Sequence, residues 1–568
     1  MKKVRFGIPE AFVPTKYCRG LVCKETEIRY DTSRIRFKTT QRGCVLELPL
    51  KFEEQIYGFG LQLGGFNHKN HKLTLRVNSD PVANTGDSHA PVPFFVTNMG
   101  YGIYIDTARY IEVHCGYAKK RRRDDAPDNT VIATAADLYK KSGLCEDTVM
   151  SIEIPVAKGV DTYIFEGKTI TDIVAQYNMF SGGGCEVPDW GLGVLYRSWA
   201  KSTQEDVISL AEYFRDRQIP CDIIGLEPGW QTNTYSCSYQ WDSERFPKHR
   251  EMIKRLKEMN FHINLWEHAF VHCTSPIYDK LLDKSGDYEV WKGIIPDFAD
   301  SRARDVFAKY HKSALIDEGI DGFKLDECDS SDYVHDWSFP NCTSFPSGID
   351  GEQFHCLFGT LYMQTIMTAL GSVQTFSEVR NAGALAANYP FVLYSDLYDH
   401  KIFIRGVVNS GFSGLLWSPE VRHAKSRKDF IRRLETTVFS VQCVINAWYC
   451  KEAPWIEWDC EDEVRELLEV RKSLIPRLRK AFRLYHECGI PPVRALVADF
   501  THDKETHNTD DEYIFCDLIV APQTEDEDER EVYLPEGKWR NFWTGERQTA
   551  GRFVYKGKRI AVFEREKL

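Results

Sequence analysis

The chain has 568 residues and a formal net charge of -11, with 43% hydrophobic, 27% charged and 13% aromatic residues. That length exceeds one compact core, so about two to four domains are expected, with the ordinary balance of a soluble globular protein. The acidic charge argues against a nucleic-acid partner, and no run approaches the roughly 18 consecutive apolar residues of a membrane helix.

Residues 1–184 read as an N-terminal β-sandwich domain. The start, Met1-Lys2-Lys3-Val4-Arg5-Phe6, is basic but lacks the apolar centre of a signal peptide, so a cytoplasmic location is expected. Short alternating runs such as Gly43-Cys44-Val45-Leu46-Glu47-Leu48 recur between turn signals. Phe94-Phe95-Val96-Thr97-Asn98 and Gly102-Ile103-Tyr104-Ile105-Asp106 flank a tight turn, which is a hairpin signal. The glycine-rich stretch 58–67 has no following Gly-Lys-Ser/Thr and is a tight-turned loop, not a phosphate cradle. The basic run Lys119-Lys120-Arg121-Arg122-Arg123 is followed at once by Asp124-Asp125 and reads as a solvated turn. The 17 cysteines are scattered and lack a paired metal spacing, so reduced thiols are expected.

A connecting helix is expected over 167–180, ending at Ser181-Gly182-Gly183-Gly184. Residues 185–485 then change character. Short apolar runs at 191–197, 221–227, 262–267, 322–326, 373–379, 391–396, 414–417 and 443–448 alternate with amphipathic stretches. One helix starts near 203, where Ser202 and Glu205 have capping-box spacing, and another covers 247–258, with Pro247 in its first turn. Eight strand-helix units in about 270 residues predict a (β/α)8 TIM barrel, an α/β fold. A doubly wound sheet is the alternative, but it would usually carry a glycine fingerprint absent here. The long connections 268–300 and 328–356 hold Trp291, Tyr333, Trp337 and Phe339 and are expected to shape a site. A helix over 462–482 closes the barrel region, and residues 486–568 return to a small C-terminal β domain.

Polar groups gather where the strands end. The runs lead to Glu227, then Trp230; to Trp266-Glu267-His268; to Lys324, Asp326 and Asp329; to Glu378 and Arg380; and to Asp396, with Asp399-His400 beyond. In a parallel barrel that end forms the reaction site. A mouth rich in carboxylates and aromatics suits either a metal or a sugar. His268, His272 and Cys273 are the best metal candidates, but they lie on a loop where a four-residue spacing does not align ligands; no metal is expected. His400 reads as a hydrogen-bonded structural histidine. Sugar cleavage needs one carboxylate as nucleophile and one as proton donor, with protonation states kept apart by their surroundings. Asp326, near Lys324, suits the ionised role; Asp396, after the apolar Phe391-Val392-Leu393-Tyr394, suits the protonated one. Salt bridges at a barrel end are the structural alternative.

Gly322-Phe323-Lys324-Leu325-Asp326 resembles the nucleophile segment of glycoside hydrolase family 31, whose α-xylosidases have Lys-Thr-Asp there. Arg380 stands 16 residues before Asp396, the spacing of that family's arginine and acid/base aspartate. Ile56-Tyr57-Gly58-Phe59-Gly60, Pro188-Asp189-Trp190-Gly191-Leu192-Gly193 and Tyr533-Leu534-Pro535-Glu536-Gly537-Lys538-Trp539 are similar to its N-terminal, barrel-entry and C-terminal segments. The resemblance implies an exo-acting, retaining α-glycosidase with no cofactor and an α-glycoside substrate. It implies Asp326 as nucleophile, Asp396 as acid/base and Asp329 as support. It also implies that Glu227 and Lys324 bind substrate, that Arg380 binds a substrate hydroxyl or holds the neighbourhood of Asp396, and that Trp230, Trp266 and Trp417 line the pocket; core packing is the alternative for each tryptophan. The chain departs from the family at Glu227, which replaces an aspartate, and at Trp417-Ser418-Pro419-Glu420, which replaces Trp-Ser-His-Asp. Proline for histidine removes a donor and an acceptor. The pocket is therefore expected to differ from a standard glucose pocket and to favour α-galactosides or α-xylosides, unless Arg422 or His423 compensates. An α-glucosidase, a transglycosylase and a catalytically inactive carbohydrate-binding protein are the alternatives, and homo-oligomerisation is compatible with the chain.

Overall fold

The computed structural model describes residues 1–79, 81, 83–118, 148–329 and 336–566. The basic run at 119–123 and Tyr333 lie outside the described residues.

Two five-stranded antiparallel sheets form the N-terminal part. In strand Pro91–Thr97 the side chains divide by period two. Phe95 enters the core between the two sheets, with Ile103, Ile105 and Ile152. Phe94 and Val96 point the other way, into the core shared with the barrel. This explains a run with no polar alternation: the strand is buried on both faces. The expected hairpin is present, with Val96 paired to Gly102. Phe94 stacks on Tyr177 of helix Ile170–Phe180, ring centroids 4.0 Å apart, and so ties the sandwich to the barrel entry.

The barrel strands are β1 (Val194–Arg197), β2 (Ile223–Leu226), β3 (His262–His268), β4 (Gly322–Asp326), β5 (Ser377–Val379), β6 (Phe391–Leu393), β7 (Glu420–Val421) and β8 (Cys443–Asn446). Seven parallel pairings join them in the order β6-β5-β4-β3-β2-β1-β8-β7. The ring closes where Leu393 N–H donates to Leu416 O at 2.8 Å and Ser418 N–H donates to Leu393 O at 3.2 Å. The seventh strand was expected at 414–417. The backbone of residues 416–418 instead bridges to β6, and the pairing with β8 begins at Glu420. Pro419, which has no N–H, separates the two halves. The sixth strand ends at Leu393, so Asp396 sits on a turn beyond the strand rather than at its tip.

Local signals were displaced elsewhere too. The capping box uses Thr203 and Asp206, one residue past the expected pair: Asp206 N–H donates to Thr203 Oγ1 at 3.3 Å and Thr203 N–H to Asp206 Oδ2 at 2.9 Å. The second helix starts at His249, after Pro247. The barrel's last helix continues to Cys488 and ends on Gly489 in a left-handed conformation, φ +75°. The connection at 268–300 contains an antiparallel hairpin, Ser285–Val290 with Gly293–Pro296. Trp291 and Lys292 form its tip, both with positive φ. A six-stranded sheet follows the last helix, with Leu518–Ala521 and Ala561–Arg565 paired at its centre. Among the described residues every cysteine is free, and no helix is long and apolar enough to cross a membrane.

Candidate active site

β4 sorts its side chains by alternation. Phe323 and Leu325 join the hydrophobic core, while Lys324 and Asp326 face the barrel interior. Asp326 lies at the C-terminal end of the strand, 7% exposed. Its Oδ2 accepts the Trp266 indole N–H at 2.6 Å, and its Oδ1 accepts the Glu327 backbone N–H at 2.9 Å. Glu327 adopts a left-handed conformation, φ +56°, an uncommon geometry for a non-glycine residue that turns its amide onto the carboxylate. Burial, with Asp326 adding to it, raises the Glu327 carboxyl well above the usual range.

Arg380 joins the acidic groups. Its Nη1 lies 3.6 Å from Asp326 Oδ1 and also contacts Asp396 Oδ2. Its Nε donates to Asp329 Oδ2 at 3.0 Å. One guanidinium nitrogen thus faces both aspartates expected to form the pair. The ion pairs with these carboxylates hold Arg380 protonated against the cost of burial.

The surroundings of Asp396 differ from the expectation. The apolar run before it suggested a protonated carboxyl. Its side chain is instead 64% exposed and lies beside two arginines. Arg422 Nη1 stands 3.5 Å from Asp396 Oδ1, and Arg422 Nη2 donates to the Asp396 carbonyl. The Arg380 guanidinium, assisted by Lys324 and Arg422, holds the Asp396 carboxyl well below the usual range. Asp396 is therefore ionised in this state. The apolar residues precede it in sequence, but it does not sit among them.

A ring of polar groups closes the barrel axis beneath. Arg197, at the end of β1, donates to Glu227 Oε1 at 3.1 Å and to Asn264 at 3.0 Å, and it also contacts Glu378. Lys324 Nζ is 3.4 Å from Glu227 Oε2 and 4.8 Å from the centre of the Tyr394 ring. Glu420 accepts from Asn446 at 3.0 Å and lies 3.4 Å from Arg422 Nε. Such buried charges are tolerable because each is paired.

The tryptophans separate. Trp266 reaches Asp326. Trp230 is 1% exposed and donates its indole N–H to the Trp266 carbonyl at 2.7 Å, so it supports Trp266 from behind. Trp417 is equally buried and donates to the Phe403 carbonyl at 3.2 Å, within the core. Packing thus accounts for the placement of Trp230 and Trp417. Sequence reasoning missed Tyr235 and the edge-to-face packing of Trp291 against it, with ring centroids 4.9 Å apart. It also missed Arg197, although a charged residue ending the apolar run Val194-Leu195-Tyr196 was a usable signal. His89 was missed with no local signal at all. His268 is buried and bonded to the Thr234 carbonyl at 3.0 Å, and His400 to Thr436 at 2.9 Å.

Comparisons with known proteins bear on this arrangement. The profile of the glycosyl hydrolases family 31 TIM-barrel domain matches residues 185–481, and that of the glycosyl hydrolase family 31 C-terminal domain matches 489–567. An α-xylosidase of Emericella nidulans is 22% identical over 92% of this chain and 66% of its own length. Alpha-glucosidase 2 of Bacillus thermoamyloliquefaciens is 23% identical over 88% of this chain and 64% of its own. The chain thus spans about two thirds of the length of these relatives. The fold matches the family 31 dextranase of Flavobacterium johnsoniae solved with glucose, with a TM-score of 0.80 at 19% identity, over 94% of this chain and 68% of that one. With the barrel profile alone covering more than half of its residues, the chain belongs to glycosyl hydrolase family 31.

Proposed function

We propose that the protein is an exo-acting, retaining α-glycosidase that hydrolyses terminal non-reducing α-linked sugars. The observation that carries this reading is the shared Arg380 nitrogen, which faces both Asp326 and Asp396. The Asp326 carboxylate attacks the anomeric carbon as the bond to the leaving oxygen breaks, and Asp396 gives that oxygen its proton. In the second half, Asp396 takes a proton from water, the water oxygen attacks the anomeric carbon, and Asp326 departs as carboxylate. The ionised Asp396 of the resting state is the form needed for the second half. For the first half, substrate must exclude water and draw Asp396 away from Arg380, both of which favour protonation.

The substrate lean is toward α-galactosides or α-xylosides. Pro419 has no polar side chain where the family carries a histidine, and Glu420 is engaged by Asn446 and Arg422. Arg422 or His423 would have to supply the hydroxyl contacts that the histidine makes. A site built for particular hydroxyls rejects epimers strongly, because its polar groups are left unpaired. Xylosidase and glucosidase names both occur among the relatives, so the sugar is decided by assay. The test is a panel of nitrophenyl α-glucoside, α-galactoside, α-xyloside and α-N-acetylgalactosaminide. Turnover of one or two is expected, with Asp326→Ala losing more than about 10⁴-fold and azide restoring it with inversion. Full activity in Asp326→Ala would end the reading. A second reading, a carbohydrate-binding protein without turnover, draws on the arginine hold on Asp396; saturable sugar binding with no release from any of the four would favour it.

A further inference from the structure

His89 lies on the turn before strand Pro91–Thr97 of the N-terminal sandwich. The turn is anchored, with Ser88 N–H donating to the Arg76 carbonyl at 3.0 Å and Ala90 N–H to Ser88 Oγ at 3.1 Å. From there the imidazole crosses into the barrel. Its Nδ1 is 2.8 Å from Asp329 Oδ2, and its Nε2 is 2.6 Å from Ser395 Oγ. Asp329, His89 and Ser395 thus have the order and spacing of a hydrolytic triad. All three are buried, so no substrate reaches the hydroxyl. Their role must act through other residues.

The hydrogen bonds assign the protons. The carboxylate of Asp329 only accepts, so Nδ1 carries the hydrogen. Ser395 Oγ accepts the Leu397 N–H at 3.0 Å, and its own proton is free to be donated to Nε2. Ser395 and Leu397 bracket Asp396. The other end of the relay reaches the same place: Asp329 holds Arg380 Nε, and Arg380 Nη1 faces Asp326 and Asp396. His89 therefore braces both the turn that carries Asp396 and the guanidinium between the two carboxylates.

We propose that His89 is a positioning residue for Asp396, through which the docking of the N-terminal sandwich sets the aim of the proton donor. The proposal rests on the acid/base role given to Asp396 above.

The test uses leaving groups, because only poor ones need the proton. In kcat/KM, which reports the first half-reaction, His89→Ala should lose about 10²-fold on an α-linked disaccharide and under about 3-fold on the α-glycosyl fluoride of the same sugar. His89→Asn, whose Nδ2 stands where Nδ1 does and keeps a donor toward Asp329, should recover part of the loss. Ser395→Ala removes the Nε2 link together with the acceptor of the Leu397 N–H and should show the same selectivity; if His89→Ala does not fold, the conservative His89 variant measured against the wild type decides the matter. Equal losses on both substrates in folded chains, or no loss in either variant, overturn the proposal. If the wild type turns over neither substrate, the glycosidase reading fails, and this inference falls with it.

Discussion

The two flanks of the cleft treat the same chemical group in opposite ways. On one side Asp326 is buried and fixed by neutral donors, the Trp266 indole at 2.6 Å and the Glu327 amide at 2.9 Å. Aromatic rings continue outward from it: Tyr235 lies 5.4 Å from Trp266, Trp291 4.9 Å from Tyr235, and Trp337 5.6 Å from Trp291. On the other side Asp396 is exposed and faced by cations. Arg380 and Arg422 contact it, and Arg422 is itself seated 4.6 Å from the Tyr398 ring. The aromatic flank fixes geometry; the cationic flank sets charge. Two carboxylates thereby stand in different surroundings, as the proposed double displacement requires.

The contrast can be broken experimentally. After the loss expected of Asp326→Ala, the largest effect is expected from Asp396→Ala, which should lose about 10²- to 10⁴-fold in kcat/KM on glycosides with poor leaving groups. Steady-state rates on a leaving-group series check it, and a loss independent of the leaving group would remove Asp396 from the donor role. On the aromatic flank, Trp266→Phe keeps a ring and deletes the donor to Asp326. A hydrogen bond to a charged group is worth about 1.5–3 kcal/mol, so roughly a 10- to 100-fold fall is expected across all leaving groups. A fall confined to poor leaving groups would mean that the flanks are not separate. The smallest effect is a shift of pH dependence in Arg422→Met. Cations lower the Asp396 carboxyl, so removing one raises it. A proton donor must be protonated, so the alkaline limb of kcat/KM against pH should move to higher pH. A limb that stays in place, or moves down, would show that Arg422 does not set this charge.

Much of the fold was legible because it rests on local periodicity. Seven of the eight apolar runs contain barrel strands, and the alternation of β4 put Lys324 and Asp326 on one face. Errors fell where a backbone detail interrupts a run, as Pro419 does at β7. The hairpin tipped by Trp291 was read as loop, since its turn, Trp291-Lys292, has no Asn-Gly signal. In the site, the gathering of Asp326, Arg380 and Asp396 was read from their spacing and family resemblance. The charge on Asp396 was misread, because residues adjacent in sequence were taken for its neighbours in space.

The linear order of residues determined which side chains stand at the ends of strands, since strand periodicity acts over two residues and strand-helix alternation over a few tens. Only the tertiary structure decided what surrounds them. Arg422 and Arg380 reach Asp396 from separate barrel connections, and His89 meets Asp329 across 240 residues of chain. Charge and hydrogen bonding depend on distances of a few ångströms between groups far apart in the chain, and no local pattern records those distances.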